Sequence, residues 1–382
     1  VSTGFWLTVL LIVFPYTGYP CLLWALTKCM RTPQKSRTPD SVGPAASLPS
    51  VSLIISAYNE ADVIEDKLRN TLAMDYPNLE VVVVSDGSTD DTEDIVARFA
   101  DAGVRLVGLP QNQGKTAAQN CAVEVCRGDI LVFSDANSMY APDAISELVR
   151  PFADANVGCV CGELRYTSPS SGGSAAEEGV YWRFERWIKR LEGRLGLLLG
   201  ANGSIYAVRR ACYVPLPADI ISDLVEPLFV LAQGRRVVYV PSAYAMESTS
   251  STMGVEFRRK RRIVTRSLRG AWYARRILSP WRHPLLTLLF LSHKGLRWLA
   301  PALLVAAFWL NARLALKSET YAVLLTMQLV FYLLAGIGVL APRLKSRLVT
   351  LPTYFCVVHT AALLGLWHAI CGGKVVTWKP SR

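Results

Sequence analysis

Residues 51–90 read VSLIISAYNEADVIEDKLRNTLAMDYPNLEVVVVSDGSTD, and the fold is decided by this stretch. Two short β-branched runs, 51–56 and 79–85, enclose a segment at 61–73 whose apolar residues recur at helical spacing. Neither run alternates with polar residues, as a strand with one wet face would. Such strands are buried on both sides, which predicts an α/β fold with a mostly parallel sheet covered by helices. Outward from there the unit repeats, with strands at 104–108 and 129–134 and helices at 91–102 and 114–126. Ligands of such sheets bind beyond the carboxyl ends of the strands. The residues in that position are polar: Ala57-Tyr58-Asn59-Glu60, Asp86-Gly87-Ser88-Thr89-Asp90 and Asp135-Ala136-Asn137.

The rest of the chain is of another kind. It has 382 residues, 51% hydrophobic and 19% charged, with a positive mean hydropathy, which excludes disorder and argues against a purely soluble globule. Gly4 to Thr27 is an uncharged apolar run long enough to cross a bilayer, with Pro15 as a point of bending. A signal peptide is disfavoured because Lys28, Arg31, Lys35 and Arg37 follow the run instead of preceding it. The positive-inside rule then places the domain that follows in the cytosol of an integral membrane protein. The expected organisation is a membrane helix at 1–30, a Pro-rich linker at 31–50, the α/β domain at 51–250, basic and interfacial helices at 251–292, and a membrane region at 293–382. Three apolar segments, near 295–311, 321–341 and 348–370, are of spanning length. If the first leaves the cytosol, the last delivers Lys374, Lys379 and Arg382 outside. Either one segment is re-entrant or the short stretch at 281–292 counts as a span.

Charge follows the same division. Residues 251–382 hold 20 Lys/Arg against Glu256 and Glu319, or +18, so residues 1–250 carry −7 of the net +11. Because the basic half is also the apolar half, a membrane surface and a phosphate-bearing ligand fit it better than nucleic acid. Nine cysteines show no paired spacing and imply a reducing compartment, with Cys159 and Cys161 as core thiols on one face of a strand. The spans carry almost no acids, which argues against an ion-coupled transporter.

Two nucleotide motifs fail. Gly114-Lys115-Thr116 resembles the end of a phosphate-binding P-loop, but position 109 is Leu where that loop needs Gly, and no Gly-x-Gly-x-x-Gly follows the first strand. What remains is a set of acids at strand ends. Two carboxylates there can hold a sugar nucleotide, one through the base or ribose and one through a hard cation on the diphosphate.

The order of the motifs resembles the family 2 glycosyltransferases, in particular the membrane-embedded branch of cellulose, chitin and hyaluronan synthases and bacterial exopolysaccharide enzymes. The resemblance is carried by Ile54–Glu60, Val84–Asp90, Asn112–Lys115, Phe133–Asn137, Gly200–Gly203, Ser222-Asp223 and Arg259–Arg262, and more weakly by Ser292-His293-Lys294 and Trp378. It implies a Rossmann-like nucleotide-sugar-binding domain of the GT-A type. It implies that Tyr58, Glu60 and Asp86 hold the uridine of a UDP-sugar and that Lys115 approaches the phosphates. Asp135 matches the first position of the family's Asp-x-Asp motif for Mg²⁺ or Mn²⁺; the last position is Asn137, a neutral oxygen ligand. Asp223 matches the catalytic base, with Ser222 where the family has Glu. Asp219 and Glu226 lie within a helical turn of Asp223, so the assignment can slip.

Within Arg258–Arg262, residues 259 and 262 share a helix face and can both reach a diphosphate. They match the Gln and Arg of the family's Gln-x-x-Arg-Trp signature, whose Trp is Ile263 here, which puts processive synthesis in doubt. Asn202 and Gly203 are placed on the acceptor side. Trp182, on an aromatic helix with Tyr181, Phe184 and Trp187, is a candidate for stacking on sugars, as is Trp272. The implied activity is an inverting, metal-dependent transfer from a nucleotide-sugar donor to a polysaccharide or lipid-linked acceptor. A non-catalytic binding subunit of a polysaccharide synthesis or secretion complex is the rival reading, motivated by Asn137, Ser222 and Ile263.

Overall fold

The computed structural model describes residues 1–30, 48–167, 173–248, 253–341, 343–344 and 346–377. Most of the expected linker, Trp378, Lys379, Arg382 and the side chain of Tyr181 lie outside the described residues. One eight-stranded sheet organises the α/β domain. Its strands are β1 (Val51–Ala57), β2 (Leu79–Ser85), β3 (Val104–Gly108), β4 (Ile130–Asp135), β5 (Met139–Tyr140), β6 (Val157–Thr167), β7 (Ile205–Arg209) and β8 (Arg236–Ser248), in the order β3-β2-β1-β4-β7-β6-β8-β5. The first four are parallel, and β7 reverses direction against β4. The four strands expected at 51–134 thus stand within a residue of their predicted places.

All of β1 is buried, because successive side chains enter opposite cores. Ile54, Val84, Leu131 and Phe133 point into one core, and Leu53, Ile55, Val83 and Val132 into the other. Cys159 and Cys161 share the first core as free, fully buried thiols, with Val160 between them in the second. The helices are α1 (Ser2–Val13), α2 (Gly18–Cys29), α3 (Ala61–Leu72), α4 (Thr92–Ala97), α5 (Lys115–Val125), α6 (Ala144–Val149), α7 (Gly173–Leu195), α8 (Ser222–Ala232) and α9 (Met253–Tyr273). The helix expected over 91–102 stops at Ala97. A separate 3₁₀ turn, Ala100–Ala102, closes on Gly103, whose φ of +86° only glycine adopts readily.

Two expectations about the membrane-directed segments are corrected. The first apolar run is not one helix: α1 and α2 are bent by 58° at a break that contains Pro15. Proline has no N–H for the helix ladder and clashes with the preceding turn, so the bend becomes a break. The stretch at 281–292 is not a separate interfacial helix. Here α10 (Pro284–Phe290) passes through a π-helical turn, Leu291–Gly295, into α11 (Leu296–Ala315), one run of 32 residues. Nothing in 284–300 breaks a helix after Pro284, and that proline occupies the first turn, where its missing N–H does no harm.

With α12 (Glu319–Leu340) and α13 (Arg347–Ile370), three helices among the described residues are long and apolar enough to cross a membrane, or four if the bent pair α1–α2 is one span. The tail after α13 returns to the α/β domain: a methyl group on Gly114 would sit 2.5 Å from the Val376 carbonyl oxygen. Lys374, two residues before Val376, therefore lies close to the α/β domain.

Candidate active site

The carboxyl ends of β1 and β2 are laced together by short polar side chains. Asn59 has φ +52°, a conformation Asn tolerates better than most residues, and this turns its side chain toward the next loop. The side-chain Oδ1 of Asn59 accepts the Thr89 N–H at 2.8 Å, and the Asn59 backbone N–H donates to Ser88 Oγ at 3.1 Å. Asp90 accepts the Ala61 N–H at 3.1 Å, and Thr92 receives the Glu60 N–H at 2.9 Å. Asp86, fully buried, accepts the N–H groups of Gln113 and Gly114 at 2.7 and 2.9 Å. Tyr58, Glu60 and Asp86, expected on the donor side, are thereby gathered at one sheet edge with the loop that opens α5. Gly87 is required there, since a methyl group on it would lie 2.5 Å from the Gln111 backbone.

Lys115, the first residue of α5, points across this edge. Its ammonium pairs with Asp135 and donates to the Gly203 carbonyl at 3.1 Å. Asp135 also accepts from the Ser204 hydroxyl at 2.9 Å. Asn137 donates to Glu247 Oε1 at 2.6 Å, which brings a carboxylate from the end of β8 to the Asp135–Asn137 turn. Burial, and next the charge of Asp135, push the Glu247 carboxyl up to about 7. Carboxylate oxygens of Asp135 and Glu247 are the hard ligands that Mg²⁺ and Mn²⁺ take, the Asn137 amide would add its oxygen on turning its NH₂ away from Glu247, and a cation would offset the burial and the Asp135 charge that raise Glu247. The residues present therefore fit a divalent ion. Glu247 was missed by the sequence reading because nothing in Met246-Glu247-Ser248 marks it; only the long β8 carries it to the site.

Asp223 lies in the first turn of α8. Burial raises its carboxyl above the usual aspartate range, against the pull of Lys115 and then Lys189. The peptide at 201–204 folds over it: the Ala201 N–H donates to the Asp223 carbonyl at 2.7 Å. A methyl group on Gly203 would sit 2.8 Å from Asp223 Oδ2 and 3.4 Å from Lys115 Nζ, so only glycine leaves the carboxylate uncovered. Asn202 is held as a clamp, its amide donating to the Gly162 carbonyl at 2.5 Å and its oxygen accepting from Lys189, while its N–H meets Cys161 Sγ at 3.2 Å. Ser222 donates to Gln119 at 2.7 Å and so ties α8 to α5. Glu226, three residues on, is buried in the core. It is 2% exposed, and its oxygens make no hydrogen bond of good geometry, the neighbouring Tyr206 hydroxyl included. Burial holds its carboxyl well above the usual range.

The arginines of α9 complete the site. Arg259 donates to the Tyr166 hydroxyl at 3.3 Å, and Trp182 packs on the Tyr166 ring with centroids 5.1 Å apart. Arg262 is largely buried; burial and then Arg259 lower its pKa while Asp135 draws it the other way. Arg266, one turn further on, was not singled out from sequence. It donates to the Ile220 carbonyl at 2.6 Å and the Thr116 hydroxyl at 3.0 Å, and feels the charge of Asp223. Its i+4 spacing from Arg262 was the signal that could have found it. Trp272, by contrast, points away into solvent or lipid at 71% exposure.

The arrangement is GT-A-like: a mostly parallel sheet whose strand ends gather carboxylates, a lysine and a rank of arginines. Residues 52–211 match the glycosyl transferase family 2 model. It is 30% identical over 248 residues to an N-acetylglucosaminyltransferase of Mesorhizobium japonicum, covering 60% of this chain and 58% of that protein. It is 26% identical over 213 residues to a poly-beta-1,6-N-acetyl-D-glucosamine synthase of Staphylococcus aureus, covering 54% and 52%. The chain thus spans little more than half the length of the curated relatives it matches. The mannosyltransferase PcManGT from Pyrobaculum calidifontis, solved with GDP-Man and Mn²⁺, has the same fold, with a TM-score of 0.68, 24% identity, and coverage of 95% of this chain and 99% of that one.

Proposed function

We propose that this protein is an inverting glycosyltransferase that moves a sugar from a nucleotide donor, UDP-linked, to a polysaccharide or lipid-linked acceptor at the cytosolic face of a membrane. The observation that carries the reading is the convergence of Asp223, Lys115 and Asp135 around the Gly203 peptide, with the α9 arginines behind them. The nucleoside would lie over Tyr58, Glu60 and Asp86. Lys115 would exchange its carboxylate partner for a donor phosphate, a better match for a point charge. Mg²⁺ or Mn²⁺ on Asp135, Asn137 and Glu247 would supply neutralising charge for the diphosphate. Arg259, Arg262 and Arg266 would stabilise the leaving charge as it develops.

Asp223 removes the proton of the acceptor hydroxyl while that oxygen attacks the anomeric carbon and the nucleoside diphosphate departs. Its raised pKa makes it a stronger base than an exposed aspartate, and such a base contributes about 10²- to 10⁴-fold. The acceptor sugar would rest between Asn202, Gly203 and Trp182. Because both curated relatives are named for N-acetylglucosamine, UDP-N-acetylglucosamine is the first donor to try.

The test is nucleoside diphosphate release by purified protein across UDP-sugars and GDP-mannose with Mg²⁺ or Mn²⁺, beside Asp223→Asn. Release with one donor, lost in the variant while nucleotide binding persists, is the expected result. Undiminished turnover by the variant would sink the base assignment. Nucleotide binding without release from any donor, with acceptor supplied, would favour a binding subunit.

A further inference from the structure

A second cavity, of about 700 Å³, lies outside the site just described, between the last turn of α9, the last turn of α13 and the loop before α8. Its lining divides by chemistry. One wall is aliphatic, with Leu366 and Ile370 from the end of an apolar helix long enough to cross a membrane, and Ile370 is 71% exposed. The rim is cationic, with Arg269, Arg275 and Lys374 against a single carboxylate, Asp219. Arg269 is spent on Asp219, donating Nε at 2.8 Å. Arg275 sits 5.0 Å from the Trp272 ring centroid and donates to the Trp272 carbonyl at 3.0 Å, which leaves the rest of its guanidinium facing outward. Lys374 closes the opposite rim.

The wall places the cavity at membrane level. α9 runs directly along α13, since the Thr265 hydroxyl donates to the Gly365 carbonyl at 3.1 Å and a methyl group on Gly365 would sit 2.9 Å from the Arg261 carbonyl. The exposed Trp272 therefore stands beside the end of an apolar helix, where indole rings settle among headgroups. A sugar chain would find aliphatic walls and no carboxylate pair to bind its hydroxyls. A free anion would leave those walls wet.

We propose that this cavity is a binding site for an acidic membrane lipid, its phosphate held by Arg275 and Lys374 and an acyl chain laid along Leu366 and Ile370. The inference does not depend on which sugar is moved. Its consequence for the active site follows from the loop beneath: Pro217, Asp219 and Ile220 floor the cavity and lead directly into α8, where Asp223 is the second residue. The Ile220 carbonyl also anchors Arg266 and the Thr116 hydroxyl. A lipid seated there would brace the loop that positions the base.

Native mass spectrometry of the delipidated full chain, titrated with phosphatidylglycerol or phosphatidylcholine, tests this directly. One phosphatidylglycerol should be retained in preference to phosphatidylcholine. At about 1 kcal/mol for each basic residue near a lipid surface, Arg275→Gln with Lys374→Gln should weaken that retention about 30-fold. The control pair Arg98→Gln with Arg127→Gln, exposed on the α/β domain, should leave it unchanged. A melting temperature like that of the parent shows that the paired variant is folded. In a parallel arm, the part of the fluorescence lost in Trp272→Phe, one of ten tryptophans, should respond to phosphatidylglycerol and not to inorganic phosphate. Equal retention of both lipids, retention unaffected by the paired substitution, or an equal response to inorganic phosphate would each overturn the proposal. None of these readouts involves sugar transfer, so a failure here is distinct from a failure of the proposed enzyme.

Discussion

Glu226 offers a sharp test of how the two acids of α8 divide their work. It is one turn from Asp223, so sequence spacing alone leaves either as the base, yet its surroundings are those of a core residue. At 2% exposure with no good hydrogen bond to either oxygen, it carries a desolvation penalty that an apolar side chain would not. An unsatisfied buried polar group costs about 1–3 kcal/mol, so Glu226→Leu should stabilise the domain by about 2 kcal/mol, or roughly 4–8 °C in Tm. The sign with pH follows from its raised carboxyl: the folded state favours the protonated form, so the parent loses stability as pH rises above the ordinary carboxyl range, and the gain from Leu grows with pH. Thermal unfolding in detergent from acid to mildly alkaline pH measures this, alongside transfer activity. Activity should stay within a few-fold of the parent, because the proposed proton acceptor is Asp223. A drop of about 100-fold or more in a Glu226→Gln variant that melts normally would refute the reasoning and move the base to Glu226.

Lys67 is fully buried, with its ammonium 3.9 Å from the Tyr140 ring centroid, and burial lowers it to about 7. The folded state thus binds fewer protons than the unfolded chain between about pH 7 and 10, so stability should rise over that window, and Lys67→Met should flatten the rise; parallel melts of parent and variant that keep the same slope would refute it. Glu247→Gln should weaken Mn²⁺ binding about 10-fold or more, read by calorimetry without donor, and unchanged affinity would remove Glu247 from the ligand set. Gly114→Ala places a methyl group against the Val376 carbonyl in a backbone of φ +94°, a strain of about 1–3 kcal/mol. It should free the tail, seen as faster tryptic cleavage at Lys374 and a raised donor KM; unaltered cleavage would show that the tail does not depend on this contact.

The parallel half of the sheet was legible because its strands are uninterrupted apolar runs and each ends in a polar turn. Asp86 and Asp135 could be picked from the chain for the same local reason, since each opens a turn at a strand end, whereas Asp223 was reached only through the family resemblance. Glu247 and Arg266 could not, since an acid in a polar strand end and an arginine among many have no local mark. The membrane segments were legible in composition but not in connection. Apolar length does not reveal that α10 and α11 are continuous, nor that the tail turns back to Gly114.

What the sequence by itself determined is therefore the set of elements and the chemistry available at their ends, because hydrophobic period and turn residues act over a few neighbours. Tertiary structure decided which of those groups meet. Lys115 reaches Asp135 and Gly203 across the sheet edge, β8 delivers Glu247 to Asn137, and α9 turns Arg262 and Arg266 inward. It also separated two acids three residues apart, leaving Asp223 beside the opening and Glu226 in the core. The physical reason is that burial and charge pairing depend on what packs against a residue from distant parts of the chain, which no local pattern encodes.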